Sequence, residues 1–331
     1  MSSALVQDFN HARFRPEDTG GHYESYFQRA NHPTKPQAFW IRYTVFSPRG
    51  RPQDAIGELW AVYFDAESGP PVAEKLELPI VQCNFARDRF AVQIGDAHLS
   101  DGQFRGSTGA IAWDLSYSGG QAPALTLPPD RYAARLPRAK LLVGVPNAIY
   151  RGQLLVNGRP ISIDGWIGSQ NHNWGSRHTD RYAYGQVCGF DEAPDSFLEL
   201  ATAQVRIGPL LTPRLTPILL RHQGREIALN SVATAIRARA DYGWFDWRFR
   251  SQDRRYRIEG EVSARREDFV ALRYFNPPGG AKCCLNTKIA QCSLQLTDLS
   301  SGQVQRLSSR NRAAFEMLGD EWKAHGVPVS A

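Results

Sequence analysis

The chain is short of the features that mark most common functional classes. No run of about 18 consecutive apolar residues occurs in its 331 residues, so no membrane-spanning helix is expected. Met1–Asn10 has no basic segment followed by an apolar run, so no secretory signal is expected and the location read from the sequence is cytoplasmic. Cysteine is scarce and odd in number, five in all, which fits buried, reduced thiols better than a disulfide framework. Cys283-Cys284 and Cys292 fit no zinc spacing, nor do His172 and His178 with Asp180 nearby, so no metal is expected. The chain has no GxxxxGK[ST] phosphate loop, no Gly-x-Gly-x-x-Gly fingerprint and no Gly-x-Ser-x-Gly elbow. Nucleotide, nicotinamide and serine-hydrolase chemistry therefore lose their usual signatures, and no cofactor is expected.

The charge excess is modest, 39 Lys and Arg against 33 Asp and Glu. Part of it recurs at every second residue: Arg237 and Arg239, Arg248 and Arg250, Arg255 and Arg257. That spacing describes the solvated face of an antiparallel sheet, and no nucleic-acid motif accompanies it, so no nucleic-acid partner is expected. An acidic partner docked on this Arg-rich half is the weakest of three functional readings. Nothing in the pattern specifies an oligomeric state.

What is present is β-forming. Aromatic residues make up 11% of the chain and include eight Trp, whereas Met occurs only twice. Short alternating runs are separated by turn residues. They include Phe39 to Ser47, Gly57 to Asp65, Ile111 to Ser118, Tyr182 to Phe190, Phe197 to Ile207, Ser231 to Arg237, Tyr256 to Ala264 and Phe269 to Phe275. Asn157-Gly158 is a type I′ hairpin signal. The residues up to Pro36 read as an irregular lead-in, and only Arg312 to Trp322 reads as helix. The expected fold class is all-β: two consecutive antiparallel β domains with few short helices, residues 1–155 and 156–331.

Chemistry concentrates at Gln170-Asn171-His172-Asn173-Trp174-Gly175, between two alternating runs. Extended backbone through it would point Gln170, His172 and Trp174 one way and Asn171 and Asn173 the other. The alternative is a strand end capped by the two Asn side chains. An imidazole titrates near neutral pH, which suits His172 to proton transfer, and the Trp174 ring could face an apolar or cationic group. On the run that begins at Phe197, Glu199 is the one charge on a face of apolar, mostly small residues, where a carboxyl is held protonated unless an Arg pairs with it. Tyr182 and Tyr184 share a face of the preceding run. Trp40, Tyr43, Trp60, Tyr63 and Trp113 are either core or the lining of an apolar cavity.

These segments, with Gly109 to Leu115, Pro146 to Gly158 and Asp164 to Gly175, resemble the lipocalin-like superfamily of carotenoid 1,2-hydratase (hydroxyneurosporene synthase). Tocopherol cyclase and the lipocalin-like Diels–Alderases look like more distant relatives. The resemblance implies two lipocalin-like β-barrel domains and an apolar site within a barrel or between them. It also implies action on polyenes, prenyl chains or polyketide-derived molecules without nucleotide or metal. The His and Trp of the hydratase turn correspond to His172 and Trp174. For a further Tyr and acid downstream, Tyr182, Tyr184, Asp191 and Glu199 are the candidates.

The reading that follows is a cofactor-independent enzyme acting on a hydrophobic isoprenoid- or polyketide-like molecule by hydration or dehydration, cyclisation or isomerisation. His172 and Glu199 are the expected catalytic pair. Trp174, Tyr184, Gln170, Asn171, Asn173, Tyr182, Trp40 and Trp60 are expected at the substrate. The alternative is a lipophilic carrier without catalysis; convergence of His172, Glu199 and Gln170 on one wall would favour the enzyme.

Overall fold

The computed structural model describes residues 9–134, 136–320 and 325–330. The first sheet comprises β1 (His22–Asn31), β2 (Gln37–Ser47), β3 (Ile56–Asp65), β4 (Val72–Pro79), β5 (Cys83–Phe85), β6 (Ala91–Ile94), β7 (Ala97–Ser100), β8 (Gln103–Thr108), β9 (Ile111–Ser118), β10 (Ala124–Leu125), β11 (Ala139–Val156) and β12 (Arg159–Gly175). Its order is β4-β3-β2-β1-β12-β11-β9-β8-β7-β6-β5, with β10 paired to β11. A smaller antiparallel ribbon, β15 (Arg206–Ile207) with β16 (Leu210–Leu211), stands apart.

The second sheet comprises β13 (Arg181–Cys188), β14 (Phe197–Gln204), β17 (Ile218–His222), β18 (Arg225–Leu229), β19 (Arg239–Tyr242), β20 (Asp246–Gln252), β21 (Tyr256–Ser263), β22 (Val270–Phe275), β23 (Ala281–Asp298) and β24 (Val304–Gly319). Its order is β18-β17-β14-β13-β24-β23-β21-β20-β19, with β22 paired to β23. Each sheet curls around its own core. Tyr26, Tyr43, Leu59, Trp113, Tyr150 and Trp166 fill the first. Val187, Leu200, Trp247, Phe249, Phe269 and Phe315 fill the second. The passage from one sheet to the other lies in residues 176–180, after β12 has completed its pairing with β1 and β11.

The Asn157-Gly158 hairpin forms as expected, with both residues at positive φ, 51° and 77°. Arg248 and Arg250 are exposed on β20 and face Glu261 and Glu259 on β21. Three local expectations are corrected. The lead-in is not irregular throughout, because β1 runs through it. Polar residues are buried on both faces of β1, including Glu24, Ser25, Gln28 and Arg29, so its apolar alternation is invisible. Ser231 to Arg237 is not a strand. Val232–Arg237 is a helical turn capped by Ser231, whose Oγ accepts from the Thr234 backbone N–H at 3.2 Å. Nor is the segment from Arg312 a helix. As β24 it lays Ala313, Phe315 and Met317 into the second core and turns Glu316 and Leu318 outward to the first sheet, and burial on both faces overrides helix propensity. Trp322 lies outside the described residues.

The outer faces of the two sheets pack against each other along a seam. Phe27, Trp40, Trp60 and Phe64 of the first sheet meet Leu272, Tyr274, Cys284 and Leu318 of the second. Val143 meets Cys188, Phe197 and Leu219 further along. Polar side chains thread this apolar contact, and they define the candidate site.

Candidate functional site

The backbone stays extended to Gly175, so the sequence motif alternates between two environments. Gln170, His172 and Trp174 lie opposite Gln28, Tyr26 and Glu24 of β1 and face the first barrel. Asn171 and Asn173 lie opposite Phe27 and Ser25 and face the seam. The motif is a single wall with two sides.

On the barrel side His172 is fully buried, stacked on Tyr26 at 4.2 Å and beside Trp174 at 4.7 Å. Its Nε2 lies 2.8 Å from Glu24 Oε1 and its Nδ1 lies 2.8 Å from the Phe9 carbonyl. Glu24 also accepts from the backbone N–H groups of Arg13 and Phe14 and from His22 Nε2 at 3.1 Å. Gln170 exchanges hydrogen bonds with Asn10, and the Arg13 guanidinium lies over the Trp174 ring at 5.1 Å. The segment 9–14 therefore closes this side.

Burial works to raise the Glu24 carboxyl, but the bonds and charges of His172 and His22 outweigh it and hold the group well below its ordinary value. Burial also works against charge on His172, opposed by Glu24 and the Phe9 carbonyl. Both ring nitrogens meet atoms that only accept, so a neutral ring would leave one short contact without a hydrogen. Protonation of the ring would satisfy both, and burial, which draws His172 below its ordinary value, opposes it. Glu24, unmarked by any motif, is the partner that sequence reasoning missed.

On the seam side the centre is Gln186 of β13. Its Nε2 donates to Asn171 Oδ1 and to Glu199 Oε2, each at 2.8 Å, and its Oε1 accepts from Ser169 Oγ at 2.6 Å and from Arg29 Nη1 at 3.1 Å. Tyr184 donates to Glu199 Oε2 at 3.4 Å. Glu199 is buried, and its Oε1 has no hydrogen-bond partner among the described residues. Burial pushes its carboxyl up to about 8, against the lowering effect of Gln186, Tyr184 and Arg29. At neutral pH it is therefore mainly the protonated acid. Oε2 already accepts two hydrogen bonds, so the proton belongs on Oε1, whose O–H has no acceptor among the described residues.

Trp40 and Trp60 stand farther along the seam and not in the first barrel, whose interior holds Tyr43, Tyr63 and Trp113. Across from them Lys288 of β23 donates to Glu316 Oε1 at 2.7 Å and to Asn286 Oδ1 at 2.6 Å, with its ammonium 5.4 Å from the Trp40 ring centre. Tyr182 donates to Glu316 Oε2 at 3.5 Å. Asn173 is half-buried, and its Oδ1 has no partner among the described residues. Thus Asn171, Tyr182, Tyr184, Glu199, Trp40 and Trp60 border the seam, whereas His172, Trp174 and Gln170 are on the other side of β12. The two expected catalytic residues do not meet: His172 projects from the barrel side of β12, whereas Glu199 of β14 is linked to its seam side through Gln186 and Asn171. Glu316 escaped sequence reading because the run from Arg312 reads as helix, and Lys288 because it falls in none of the alternating runs.

Comparisons bear on this architecture. No family model matches the chain. The uncharacterized proteins MT0513 and Rv0493c, from two strains of Mycobacterium tuberculosis, are each 24% identical to it over 307 residues, covering 88% of this chain and 87% of theirs. Among solved structures, a protein of Nitrosomonas europaea provisionally named AttH aligns over 95% of both chains at a TM-score of 0.61 and 12% identity. Kievitone hydratase from Nectria haematococca aligns over 97% of this chain and 95% of its own, at a TM-score of 0.56 and 9% identity. CghA, solved with Sch210972, aligns over 91% of this chain and 89% of its own, at a TM-score of 0.55 and 11% identity. The two-sheet fold, from end to end, is one that this chain shares with these proteins.

Proposed function

We propose that this chain is an enzyme that acts by acid–base chemistry on a hydrophobic, isoprenoid- or polyketide-like small molecule bound in the seam, with Glu199 as the proton-transfer group. The observation that carries the reading is the Glu199 carboxyl, buried beside Gln186 and Tyr184 and held protonated near neutral pH with one oxygen unpartnered among the described residues. The likeness in fold to a protein named kievitone hydratase supports it, as does the likeness to CghA, which was solved with a small molecule.

In the hydration form of the reaction, Glu199 gives its proton to one carbon of an alkene. Positive charge then develops on the other carbon, beside the π face of Tyr184, and water adds there. The water's spare proton returns to the Glu199 carboxylate, which restores the acid. Dehydration is the reverse, and cyclisation or isomerisation replaces water with an internal nucleophile or with proton loss. Gln186 fixes Oε2 and thereby orients the O–H on Oε1. His172 serves as a positioning residue in this scheme, holding β12 to β1 so that Asn171 can hold Gln186.

The test is an untargeted one. Purified wild-type protein, Glu199→Gln and His172→Ala would be incubated with organic-solvent extract of the native host, and product masses followed. A gain or loss of one water, or a retention shift at constant mass, is expected with the wild type and absent with Glu199→Gln. His172→Ala should retain a measurable fraction. A compound that co-purifies unchanged with both wild type and Glu199→Gln would overturn catalysis in favour of a lipophilic carrier.

A further inference from the structure

The seam buries two guanidinium groups that are bonded to no carboxylate of the described residues, Arg29 and Arg42; Arg29 is held by amide and carbonyl oxygens, and Arg42 has far fewer partners. Arg42 of β2 is 5% exposed. Its one hydrogen bond among the described residues runs from Nη2 to Ser25 Oγ at 2.6 Å, and Nε has no partner. No carboxylate of the described residues forms an ion pair with it. Glu58, on the same sheet face, is paired to Lys75 at 2.6 Å, and Glu316 to Lys288 at 2.7 Å. The guanidinium lies 4.4 Å from the Tyr274 ring centre and 5.9 Å from that of Trp40. The indole Nε1 atoms of Trp40 and Trp60 are also buried without partners among the described residues, as is the Tyr274 hydroxyl, and Trp60 pairs with Arg42 across β2 and β3. The unpartnered atoms of Arg42, Trp40 and Trp60 thus belong to one face of two adjacent strands, and all three are donors.

Glu58 and Glu316 act on Arg42 only through space, each being already bonded to a lysine, so the buried guanidinium keeps donors without a bonded acceptor, and such donors call for an acceptor with negative charge. A planar oxyanion meets that need in the bidentate geometry that arginine favours. We infer that Arg42, with the indole N–H groups of Trp40 and Trp60, forms a subsite for an acidic group of the ligand, a carboxylate or an equally planar enolate. The ligand is then amphipathic, an apolar body along the seam with an anionic end at Arg42. As a statement about substrate this rests on the seam being the reaction site; as a statement about binding it stands without turnover.

Binding is tested through intrinsic tryptophan fluorescence and thermal shift, with alkyl carboxylates from octanoate to hexadecanoate against the matching alcohols. The wild type should favour the best carboxylate over its alcohol by about tenfold or more, the scale of a charge-assisted hydrogen bond. Arg42→Met should abolish that preference while alcohol binding persists. Arg42→Lys, which keeps charge but not the fork, should retain part of it and serves should Arg42→Met fail to fold. Carboxylates no better than alcohols throughout the series, or a preference undiminished in both Arg42 variants, would overturn the subsite. Loss of turnover in Glu199→Gln is read separately, so the subsite and the acid–base reading can fail independently.

Discussion

At the scale of single residues, two carboxyls one strand apart are driven in opposite directions by their surroundings. Glu199 is buried beside neutral donors, so its carboxyl rises from 4.5 to about 8. The unfolded chain ionises that group at lower pH than the folded chain does, and stability should fall as pH rises between those values, by up to about 4 kcal/mol. Glu199→Gln should flatten that decline and be more stable than the wild type at pH 8, as urea titrations at pH 5 and pH 8 would show. Glu24 is the opposite case. Its depressed carboxyl stabilises the fold fully above 4.5, its ordinary value, and the benefit drains away as the pH falls through the folded value. Glu24→Gln removes the carboxylate that meets His172 and accepts from the Arg13 and Phe14 backbone N–H groups, and should cost about 3 kcal/mol at neutral pH, with a weaker acid-denaturation limb. Glu199 was legible in the sequence as the one charge on an apolar face, and His172 as the imidazole of a polar run between two alternating ones. Glu24 was not, because nothing in a linear pattern pairs residues from β1 and β12.

At the scale of elements, β12 is the strand on which both sides of the site depend. It is built to approach β1 closely: a Cβ added at Gly168 would stand 1.8 Å from the Arg29 carbonyl oxygen. Gly168→Ala should therefore force β1 and β12 apart, with a loss of about 3 kcal/mol in urea unfolding. Because Ser169 and Asn171 then shift, the Glu199 network should loosen as well. Most strands were legible from alternation and turn residues, and Ile111–Ser118 forms as read. Two of the three failures share one cause. Strand β1 and residues 313–318 of β24 are buried on both faces, so neither shows the apolar-polar rhythm by which a half-buried strand announces itself.

At the scale of the molecule, Arg29 ties the sheets together. From β1 it donates to the Gln186 backbone and side chain and to the Arg312 carbonyl, so it grips β13 and β24 at once. Arg29→Met should leave those buried acceptors unsatisfied and cost about 3 kcal/mol or more. Unfolding should then lose its single transition: tryptophan fluorescence and far-ultraviolet circular dichroism, coincident in the wild type, should separate in the variant. Coincident curves in Arg29→Met would show that apolar packing alone couples the sheets.

Composition and short-range pattern by themselves determined that this chain forms antiparallel sheets, because alternation at period two and turn residues with positive φ are properties of neighbours along the chain. Which side chains on β12 part company followed from alternation only once the fold carried the extended backbone through to Gly175 and not into a capped strand end. Tertiary structure alone decided what each side meets. Strands far apart in sequence bring Glu24 to His172, Gln186 to Asn171, and Tyr274 to Arg42. Whether a carboxyl is held as an anion or as an acid depends on the partners and dielectric that this long-range packing supplies, so the chemistry of the seam had to wait for the fold.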